Sequence, residues 1–453
     1  MAEIFPDDDV ADLVIENAII LTANPDRQVI RDGRIIAKDK RLAYVGSKRG
    51  PPPAAHQLID ADDMIATPGL INVHTHTILT MVRGVAEDMG FAPAYTPGVP
   101  QGHMITEEEA VALARLGALE AALFGSTLIN DTYVHADLTL PAMAEIGLRV
   151  TACGRIHDVD FSGVSAGRWT YDPAIGDRTL SEALALVQRY HGAMDGRLGV
   201  QLAAHAPDTC STGFLKRIRQ ARDDTDLIVT THLAQSQIEV DRIRQRDGKT
   251  PAELLDDLGL LNDRLIAAHC IFMTETDIAR TGAGGVHVAH IPKGNATGGT
   301  IAPTLKLRAA GANLCLSTDN MHADMVELMR WALAVGRLQE GKITQHWQPE
   351  DMLEMASIHG ARAMGMSAEI GSLEVGKKAD IVLMDANRPH FTPLIDPLGN
   401  LVHVGQGRDV RHVFVDGEQI VRDGAPTRVN AAEIMTQAQA AAEALWSRAR
   451  RAS

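Results

Sequence analysis

The sequence predicts an α/β protein built around a parallel (β/α)8 barrel of the TIM type. Between about Thr67 and Gly371, short apolar strand-like segments alternate with helical patterns, for example at 106–124, 181–190 and 251–258. This alternation is typical of a parallel sheet, and about 300 residues with about eight such units favour a closed barrel over an open sheet. Several of the strands end in a histidine or an aspartate, as expected where barrel strands build one site at their carboxyl ends.

Both ends of the chain are predicted to share one small β domain. Short strands are indicated at 13–22, 33–37 and 42–46, and again at 379–385 and 410–421. In the last of these, Asp416-Gly417 is a strong hairpin-turn signal. We therefore predict a β domain from residues 1–65 and 372–429, a barrel from 66–371, and a terminal helix over 430–453 that is suited to packing on a neighbouring subunit.

Composition argues against several classes of function. The 453 residues include 43 basic and 58 acidic side chains, for a net charge of −15, which disfavours binding to nucleic acids or anionic membranes. The four cysteines lie in no CxxC spacing, so neither a disulfide framework nor a cysteine–zinc site is indicated. The acidic amino terminus shows no export pattern and no long apolar run occurs, so a cytoplasmic location is expected.

The most informative local feature is a pair of histidines at the end of an apolar segment. His74 and His76 are two residues apart, and in a β-strand side chains at this spacing point to the same face. Both imidazoles would then converge on one point, as a metal ion requires. Alone the pair is weak evidence for a metal site, because histidines at this spacing also occur by chance in a core or on a surface.

Later segments strengthen the interpretation. The apolar segments at 228–232, 265–269 and 314–319 end in His232, His269 and Asp319. The carboxyl ends of parallel strands meet at one edge, so these side chains are expected to lie together. No purely structural role requires five ligand-type residues at successive strand ends.

Taken together, the motifs resemble those of the amidohydrolase superfamily, in the group of aminoheterocycle deaminases and triazine chlorohydrolases. The chain reads PGLINVHTH at 68–76, AHAP at 204–207, THLA at 231–234, AHC at 268–270, STDN at 317–320 and GSLEVGKKAD at 371–380. These motifs follow the order and roughly the spacing of the family. The resemblance implies a distorted (β/α)8 barrel beside a small β-sandwich formed from both chain ends.

The resemblance also implies a single divalent metal ion held by His74, His76, His232 and Asp319. Zinc is expected, and iron fits the same imidazole and carboxylate ligands. Such a site lowers the pKa of a bound water from about 16 toward about 7. One ion is expected because the segment at 198–205 lacks the lysine that binuclear relatives carry. Asp319 would also accept a proton from the water, and His269 would hydrogen-bond the water or the developing oxyanion.

One position departs from the family pattern. Relatives that deaminate or dechlorinate carry a glutamate three residues after the third metal histidine, whereas this chain has Gln235. An amide donates and accepts hydrogen bonds, so it still suits substrate contact at the catalytic centre, but it cannot shuttle a proton. Three explanations remain open. The leaving group needs less protonation, another side chain substitutes, or the protein binds a ligand without turning it over. The candidate substitutes are Glu239, His322, Asp324 and Asp319.

The expected function is metal-dependent hydrolysis, most simply hydrolytic deamination of a small nitrogen heterocycle. The alternative is release of chloride, an alkylamine or a thiol, or the opening of a cyclic amide. By resemblance, His205 is expected to face a ring nitrogen or substituent, and Asn295 to shape the loop after the seventh strand and contact substrate. The predicted partners are a small heterocyclic substrate and other copies of this chain, with no nucleic acid and no membrane.

Overall fold

The computed structural model describes residues 10–89, 93–320 and 322–452, so residues 1–9 of the predicted β domain lie outside the described residues. Five strands form the N-terminal part of that domain. They are β1 (Ala11–Leu21), β2 (Val29–Lys38), β3 (Arg41–Ser47), β4 (Ala55–Asp60) and β5 (Met64–Pro68). β1 pairs antiparallel with β2 and parallel with β4 and β5.

The next nine strands build the barrel. They are β6 (Leu70–Thr75), β7 (Ser126–Tyr133), β8 (Arg149–Ile156), β9 (Leu198–Val200), β10 (Leu202–Ala204), β11 (Val229–Leu233), β12 (Leu265–His269), β13 (His287–His290) and β14 (Asn313–Leu316). The strand order is β14-β13-β12-β11-β10-β8-β7-β6, with β9 added beside β8. A parallel bridge between Thr75 and Asp319 brings the two edges together. Eight parallel strands therefore form the ring, and the predicted barrel is confirmed.

Four strands from the far end of the chain complete the terminal sheet. They are β15 (Ile381–Asp385), β16 (Val410–Val415), β17 (Glu418–Arg422) and β18 (Ala425–Pro426). β15 pairs antiparallel with β5, which joins the two chain ends in one nine-stranded sheet. Asp416 and Gly417 have φ values of 52° and 76°, as a tight hairpin turn between β16 and β17 requires.

Sixteen α-helices connect the strands or flank the sheets within the described residues. They are α1 (Glu107–Leu123), α2 (Ala136–Ala144), α3 (Phe161–Val164), α4 (Pro173–Tyr190), α5 (Ala193–Gly196), α6 (Thr212–Thr225), α7 (Gln237–Asp247), α8 (Pro251–Asp257), α9 (Glu275–Ala283), α10 (Pro292–Thr297), α11 (Thr304–Ala310), α12 (Met325–Glu340), α13 (Pro349–Ala356), α14 (Ile358–Ala363), α15 (Pro397–Val404) and α16 (Ala431–Ala452). In α1 and α8 a threonine and a glutamate three residues later form a capping box, which satisfies the first free N–H groups. The predicted helix at 181–190 begins earlier, because Asp172 caps it and Pro173 occupies its first turn.

Two buried ion pairs join the barrel to the terminal sheet. The Arg149 guanidinium lies 2.7 Å from Asp416 Oδ1, and Arg197 Nε lies 2.9 Å from Asp416 Oδ2. Arg149 begins β8, whereas Asp416 occupies the hairpin turn of the sheet. Because all three side chains are largely buried, the contact fixes the barrel against the sheet at a specific point.

The helix α16 lies within the segment predicted as a terminal helix, and it packs against α1 of the same chain. Trp446 Nε1 donates a 2.8 Å hydrogen bond to the carbonyl of Met81, and Arg448 donates to the carbonyl of Met104. Met81 and Met104 lie in the segment between β6 and α1, so α16 anchors that connection. In the described part of the chain, none of the helices combines the length and apolarity needed to cross a membrane.

Candidate metal centre

The five predicted ligand-type residues converge at the carboxyl ends of the barrel strands. His74 lies on β6 and His76 directly after it, His232 lies on β11, His269 ends β12, and Asp319 follows β14. One ligand atom each of His74, His232, His269 and Asp319 lies within 4.8 Å of the other three. His76 belongs to the same cluster, since its Nε2 is 3.3 Å from Asp319 Oδ1. Strand alternation aligns His74 with His76, and the shared carboxyl edge of the parallel strands brings the other three side chains to the same point.

Backbone pairing between the first and last barrel strands fixes this geometry. The amide of His76 donates to the Asp319 carbonyl at 2.7 Å, and the amide of Asp319 donates to the His74 carbonyl at 3.1 Å. Two residues before His74, the side-chain amide of Asn72 donates to Thr318 Oγ1 and accepts from the backbone amide of Thr318. The loop that carries Asp319 is thus held directly against the strand that carries the two histidines.

Two residues of the cluster have a strained backbone conformation. His269 and Asp319 have φ values of 74° and 66°, in the left-handed region that residues other than glycine seldom adopt. Conformations of this kind persist only where surrounding contacts impose them, and they cluster at functional sites. At these two strand ends the backbone turns so that both side chains face the centre.

Hydrogen bonds orient the imidazole rings for metal binding. His232 Nδ1 donates to the His205 carbonyl at 2.6 Å, and His76 Nδ1 donates to the Thr132 carbonyl. His269 Nδ1 donates to Asn295 Oδ1 at 3.1 Å. A metal-binding histidine usually uses its second nitrogen in this way, which fixes the tautomer and leaves Nε2 as the ligand atom.

The nitrogens that face one another fit a cation. The Nε2 atoms of His76 and His232 are only 3.2 Å apart, although both Nδ1 atoms already donate to carbonyls. Neither ring nitrogen of the buried His74 has a hydrogen-bond partner among the described residues. Two ligands, each about 2.0–2.1 Å from a tetrahedral zinc ion, lie about 3.3 Å apart. The donor set and its spacing therefore fit one divalent ion.

Electrostatics keep these groups in the protonation state that metal binding needs. Burial lowers the pKa of His74 to about 4 and that of His232 well below its usual value, so both rings are neutral at neutral pH. Burial alone raises the pKa of Asp319, but the nearby imidazoles of His74 and His76 outweigh it, and the net pKa is well below normal. Neutral imidazoles and an ionised carboxylate are the ligand forms that divalent zinc or iron binds.

The predicted substrate-facing residues surround this centre. His205, just after β10, lies with its ring centroid 5.0 Å from that of His232, and its Nδ1 is 2.8 Å from Thr209 Oγ1. Gln235 lies three residues after His232 and is 4% exposed. Asn295, on α10, is buried and orients His269 through its side-chain oxygen. The structure thus brings His205 and Asn295 into direct contact with the histidine cluster.

Sequence reasoning missed an acidic and aromatic cluster beside Gln235. The Tyr95 hydroxyl donates to the Asp208 carboxylate at 3.0 Å, and Trp169 Nε1 donates to it at 3.2 Å. The Phe161 ring, in the same cluster, lies 5.1 Å from that of His205. No sequence motif marks Tyr95. Asp208, three residues after His205, was the available signal.

Comparison with known proteins identifies relatives over almost the whole chain. Residues 65–420 match the amidohydrolase family. A 5-methylthioadenosine/S-adenosylhomocysteine deaminase of Moorella thermoacetica is 36% identical over 422 residues, which cover 90% of this chain and 94% of the relative. A 5'-deoxyadenosine deaminase of Methanosarcina barkeri is 31% identical over 447 residues, covering 97% and 99% of the two chains.

Solved structures agree with these relatives in fold. An adenosine deaminase from Xanthomonas campestris with bound zinc superposes with a TM-score of 0.85 at 26% identity, covering 96% of this chain and 99% of the other. The zinc complex of an atrazine chlorohydrolase from Arthrobacter aurescens superposes with a TM-score of 0.83 at 21% identity, covering 95% and 100%. The latter comparison shows the fold alone.

These relatives confirm the predicted fold and the predicted chemistry, the metal-dependent hydrolytic deamination of a small nitrogen heterocycle. The buried cluster of histidines and Asp319 supplies the metal-binding group for that chemistry. The chain belongs to the amidohydrolase family, and it is a metal-dependent hydrolase that acts on carbon–nitrogen bonds other than peptide bonds.

Proposed function

We propose that this protein is a zinc-dependent deaminase of 6-aminopurine nucleosides, which converts the ring amine to a carbonyl and releases ammonia. The observation that carries the proposal is the convergence of His74, His76, His232 and Asp319 on one buried point, with His269 beside them. The substrate class is supported by the relatives, which are deaminases of 5-methylthioadenosine, S-adenosylhomocysteine and 5'-deoxyadenosine.

In this proposal His74, His76, His232 and Asp319 hold one zinc ion. When bound, the ion supplies a water of lowered pKa as the nucleophile. Asp319, with its pKa held low, accepts a proton from that water during attack. His269, whose Nδ1 donates to Asn295, presents its Nε2 lone pair, which accepts a hydrogen bond from that water and orients it for attack.

The remaining residues bind the ring. His205 is fixed through Thr209 and faces the Phe161 ring, which offers an aromatic surface next to the metal centre. Tyr133, whose ring centroid is 5.8 Å from that of His76, provides a second aromatic surface. Gln235 donates and accepts hydrogen bonds at the ring edge. Aromatic surfaces with a few polar groups are typical of heterocycle pockets.

Gln235 favours one second candidate, the release of a group that leaves with little protonation, such as chloride or a thiolate. An amide cannot carry the proton that an amine leaving group needs. Loss of a positioned acid or base costs about 10²- to 10⁴-fold in rate. A substrate with a better leaving group avoids that loss.

The test is ammonia release by protein reconstituted with one equivalent of zinc. The panel contains adenosine, 5'-deoxyadenosine, 5-methylthioadenosine and S-adenosylhomocysteine, with aminopyrimidines, aminotriazines and pterins as comparison rings. We expect the adenosine derivatives to release ammonia. Their ultraviolet absorbance should also change as the 6-amino purine becomes a 6-oxo purine. Both signals should be absent with the Asp319→Asn variant. Ammonia from none of these compounds contradicts the proposal, and 6-chloro and 6-thio purines then test the second candidate.

We also propose a cytoplasmic location and a homo-oligomer. Four buried free thiols, at Cys153, Cys210, Cys270 and Cys315, support a reducing compartment.

For the oligomer, size-exclusion chromatography with light scattering is the direct measurement. Since α16 packs against α1 within one chain, the predicted use of this helix between subunits would involve only its outer face.

A further inference from the structure

The amide at Gln235 leaves the proposed deamination without its usual proton carrier, and Asp324, Glu239 and His322 are among the substitutes that the sequence offers. Asp324 is already engaged, because its Oδ1 accepts from the Glu327 amide and its Oδ2 from the Gly407 amide. Both oxygens of Glu239 accept backbone N–H groups, from Ala234 and from Gln235 itself. Glu239 therefore holds the loop that carries Gln235 and does not itself face substrate.

His322 is connected to a different part of the site. Lys293, Arg83, Glu327 and Asp319 are the charged groups that act on it, and Lys293 is paired with Glu327 at 2.8 Å. Its ring nitrogens make no hydrogen bond to any described residue. No interaction of His322 with Gln235 is recorded among the described residues. His322 is thus a poor substitute for a group at position 235.

Asp208 and Tyr95 form a different arrangement. Both carboxylate oxygens of the fully buried Asp208 lie within hydrogen-bond distance of the Tyr95 hydroxyl, at 3.1 and 3.0 Å. Trp169 Nε1 donates to the same carboxylate at 3.2 Å. The Gln235 side chain also hydrogen-bonds the Tyr95 hydroxyl. Tyr95 therefore contacts both a buried acid and the residue that replaces the family glutamate.

The cluster also borders the metal centre. Tyr95 and Trp169 pack with Phe161 in one small apolar core, and Phe161 lies against His205. The His205 carbonyl in turn accepts the Nδ1–H of His232. Tyr95 is accordingly connected to the metal ligand His232 through Phe161 and His205, and it contacts Gln235 directly.

Two carboxyl groups share this low-dielectric environment. Burial raises the pKa of Asp208 to about 6. Burial, and then repulsion from Asp208, raise the pKa of Glu239 well above its usual value. The other groups that act on Asp208 are Tyr95, Trp169 and Arg246. Because two buried carboxylates repel each other, the pair retains a proton to higher pH than separate carboxyl groups do.

We propose that Tyr95 is the group that transfers a proton to the substrate ring, and that the Asp208 carboxyl, beside Glu239, is the store from which Tyr95 is recharged. This inference rests on the proposed deaminase function. It assigns the task of the missing glutamate to a tyrosine and an aspartate that lie 113 positions apart in the chain.

The protons balance over one turnover. In the reactive form Asp208 is protonated and donates to the Tyr95 oxygen, so the phenolic hydrogen is free to face the ring. During attack, Tyr95 gives this proton to the ring nitrogen beside the reacting carbon, and Asp208 passes its own proton to the phenolate. Asp319 takes one proton from the attacking water. As the carbon–nitrogen bond breaks, Asp319 passes its proton to the leaving amine, and the proton lost by the new hydroxyl returns through Tyr95 to Asp208. The products are a ring carbonyl with a protonated ring nitrogen and ammonia, and the acid pair ends as it began.

The first test needs neither metal nor activity. Trp169 donates directly to Asp208, so protonation of that carboxyl should change its fluorescence. We expect the metal-free protein to show a fluorescence transition with a midpoint of about 6, absent in Asp208→Asn and in Trp169→Phe. A transition that persists unchanged in Asp208→Asn, or no titration of this carboxyl between pH 5 and pH 8, overturns Asp208 as the proton store.

The second test asks whether Tyr95 is needed only when position 235 lacks an acid. In zinc-loaded protein, Tyr95→Phe should lower kcat for ammonia release by about 10²- to 10⁴-fold. In a Gln235→Glu background the same change should cost less than about threefold, because the glutamate then carries the proton. A structural role for the hydroxyl would lower kcat in both backgrounds. The matched control is Tyr171→Phe, whose hydroxyl in the same cluster donates to the main-chain oxygen of Asp208, not to its carboxylate, and accepts from Arg246.

The outcomes separate this inference from the function on which it rests. If the unmodified zinc enzyme releases ammonia and Tyr95→Phe does so equally well, the inference is overturned and the proposed function stands. If the unmodified enzyme releases no ammonia from any amine, the proposed function fails and the inference fails with it. If Tyr95→Phe does not fold, Asp208→Asn takes its place. The loss of kcat that Asp208→Asn causes is then compared between the protein with Gln235 and the Gln235→Glu variant.

Discussion

The Nε2 atoms of His76 and His232 lie 3.2 Å apart, each on a ring whose Nδ1 hydrogen is already donated to a backbone carbonyl. Two lone pairs at this distance repel unless a proton or a metal ion lies between them. We therefore expect His232→Ala to remove bound metal, since it deletes one of the two facing nitrogens. Metal content by mass spectrometry should fall from one equivalent to nearly none, while His346→Ala, which alters an exposed histidine, retains it. Full metal content in His232→Ala would contradict the assignment.

His76 and His269 should differ in what they contribute. His76 Nε2 is 3.3 Å from Asp319 Oδ1, whereas His269 Nε2 is 4.0 Å from Asp319 Oδ2. We expect His76→Ala to lose metal. His269→Ala should keep metal but lose about 10²- to 10⁴-fold in kcat, because it removes the group that accepts a hydrogen bond from the attacking water. Metal titration with a competing chelator measures the first effect and steady-state kinetics the second. Metal loss from His269→Ala alone would make His269 the fourth ligand in place of His76.

Thr209 should act on substrate binding through His205. Its Oγ1 lies 2.8 Å from His205 Nδ1 and also donates to the Ala206 carbonyl, so it fixes the ring and its tautomer. Thr209→Val keeps the shape of the side chain and removes the hydroxyl. We expect KM to rise by about tenfold, the value of one hydrogen bond, with kcat little changed. Thr212→Val, on the neighbouring helix α6, is the control, because its hydroxyl bonds Asp247 away from His205. A fall in kcat with unchanged KM would place His205 in the chemical step.

The contact between Asp416 and the arginines should make the fold sensitive to acid. Burial raises the pKa of Asp416, but Arg149, Arg197 and Lys378 outweigh it and lower the pKa to about 2. A carboxyl with a depressed pKa stabilises the fold above its unfolded pKa of about 3.9, and this contribution is lost as the pH falls from about 4 to about 2. Asp416→Asn should keep the turn, since asparagine also tolerates positive φ, and should destabilise the protein by on the order of 3 kcal/mol at neutral pH. Thermal unfolding of the two proteins between pH 3 and pH 7 checks this, and equal melting temperatures at pH 7 would contradict it.

The residues that could be predicted from sequence are those that follow a repeating geometry. His74 and His76 were predictable because a strand repeats every two residues, and His232, His269 and Asp319 because each ends a short apolar segment. The helix α1 was predictable from Thr106 onward because its cap is local. Such signals depend on neighbours in the chain, so they need no knowledge of the tertiary structure.

Tyr95 and Asp208 could not be predicted in the same way. They come from two irregular connections 113 positions apart. In such connections no helix or strand periodicity predicts the direction in which a side chain points. Their contact depends on the path of the segment between β6 and α1, which α16 anchors through Met81 and Met104. The bonds between Glu239 and the amides of Ala234 and Gln235 were equally invisible, because they serve a left-handed turn at Ala234.

The pairing of β5 with β15 sets the order in which the molecule can be completed during synthesis. Ile381 pairs with Pro68, so about 300 residues must leave the ribosome before this partner of β5 exists, which takes about 15–60 s at about 5–20 residues per second. Until then one edge of the early strands has unsatisfied N–H and C=O groups and is open to pairing with another chain. Nascent chains that stall before residue 381 should therefore depend on chaperones, whereas in longer chains β15 can cover the free edge of β5.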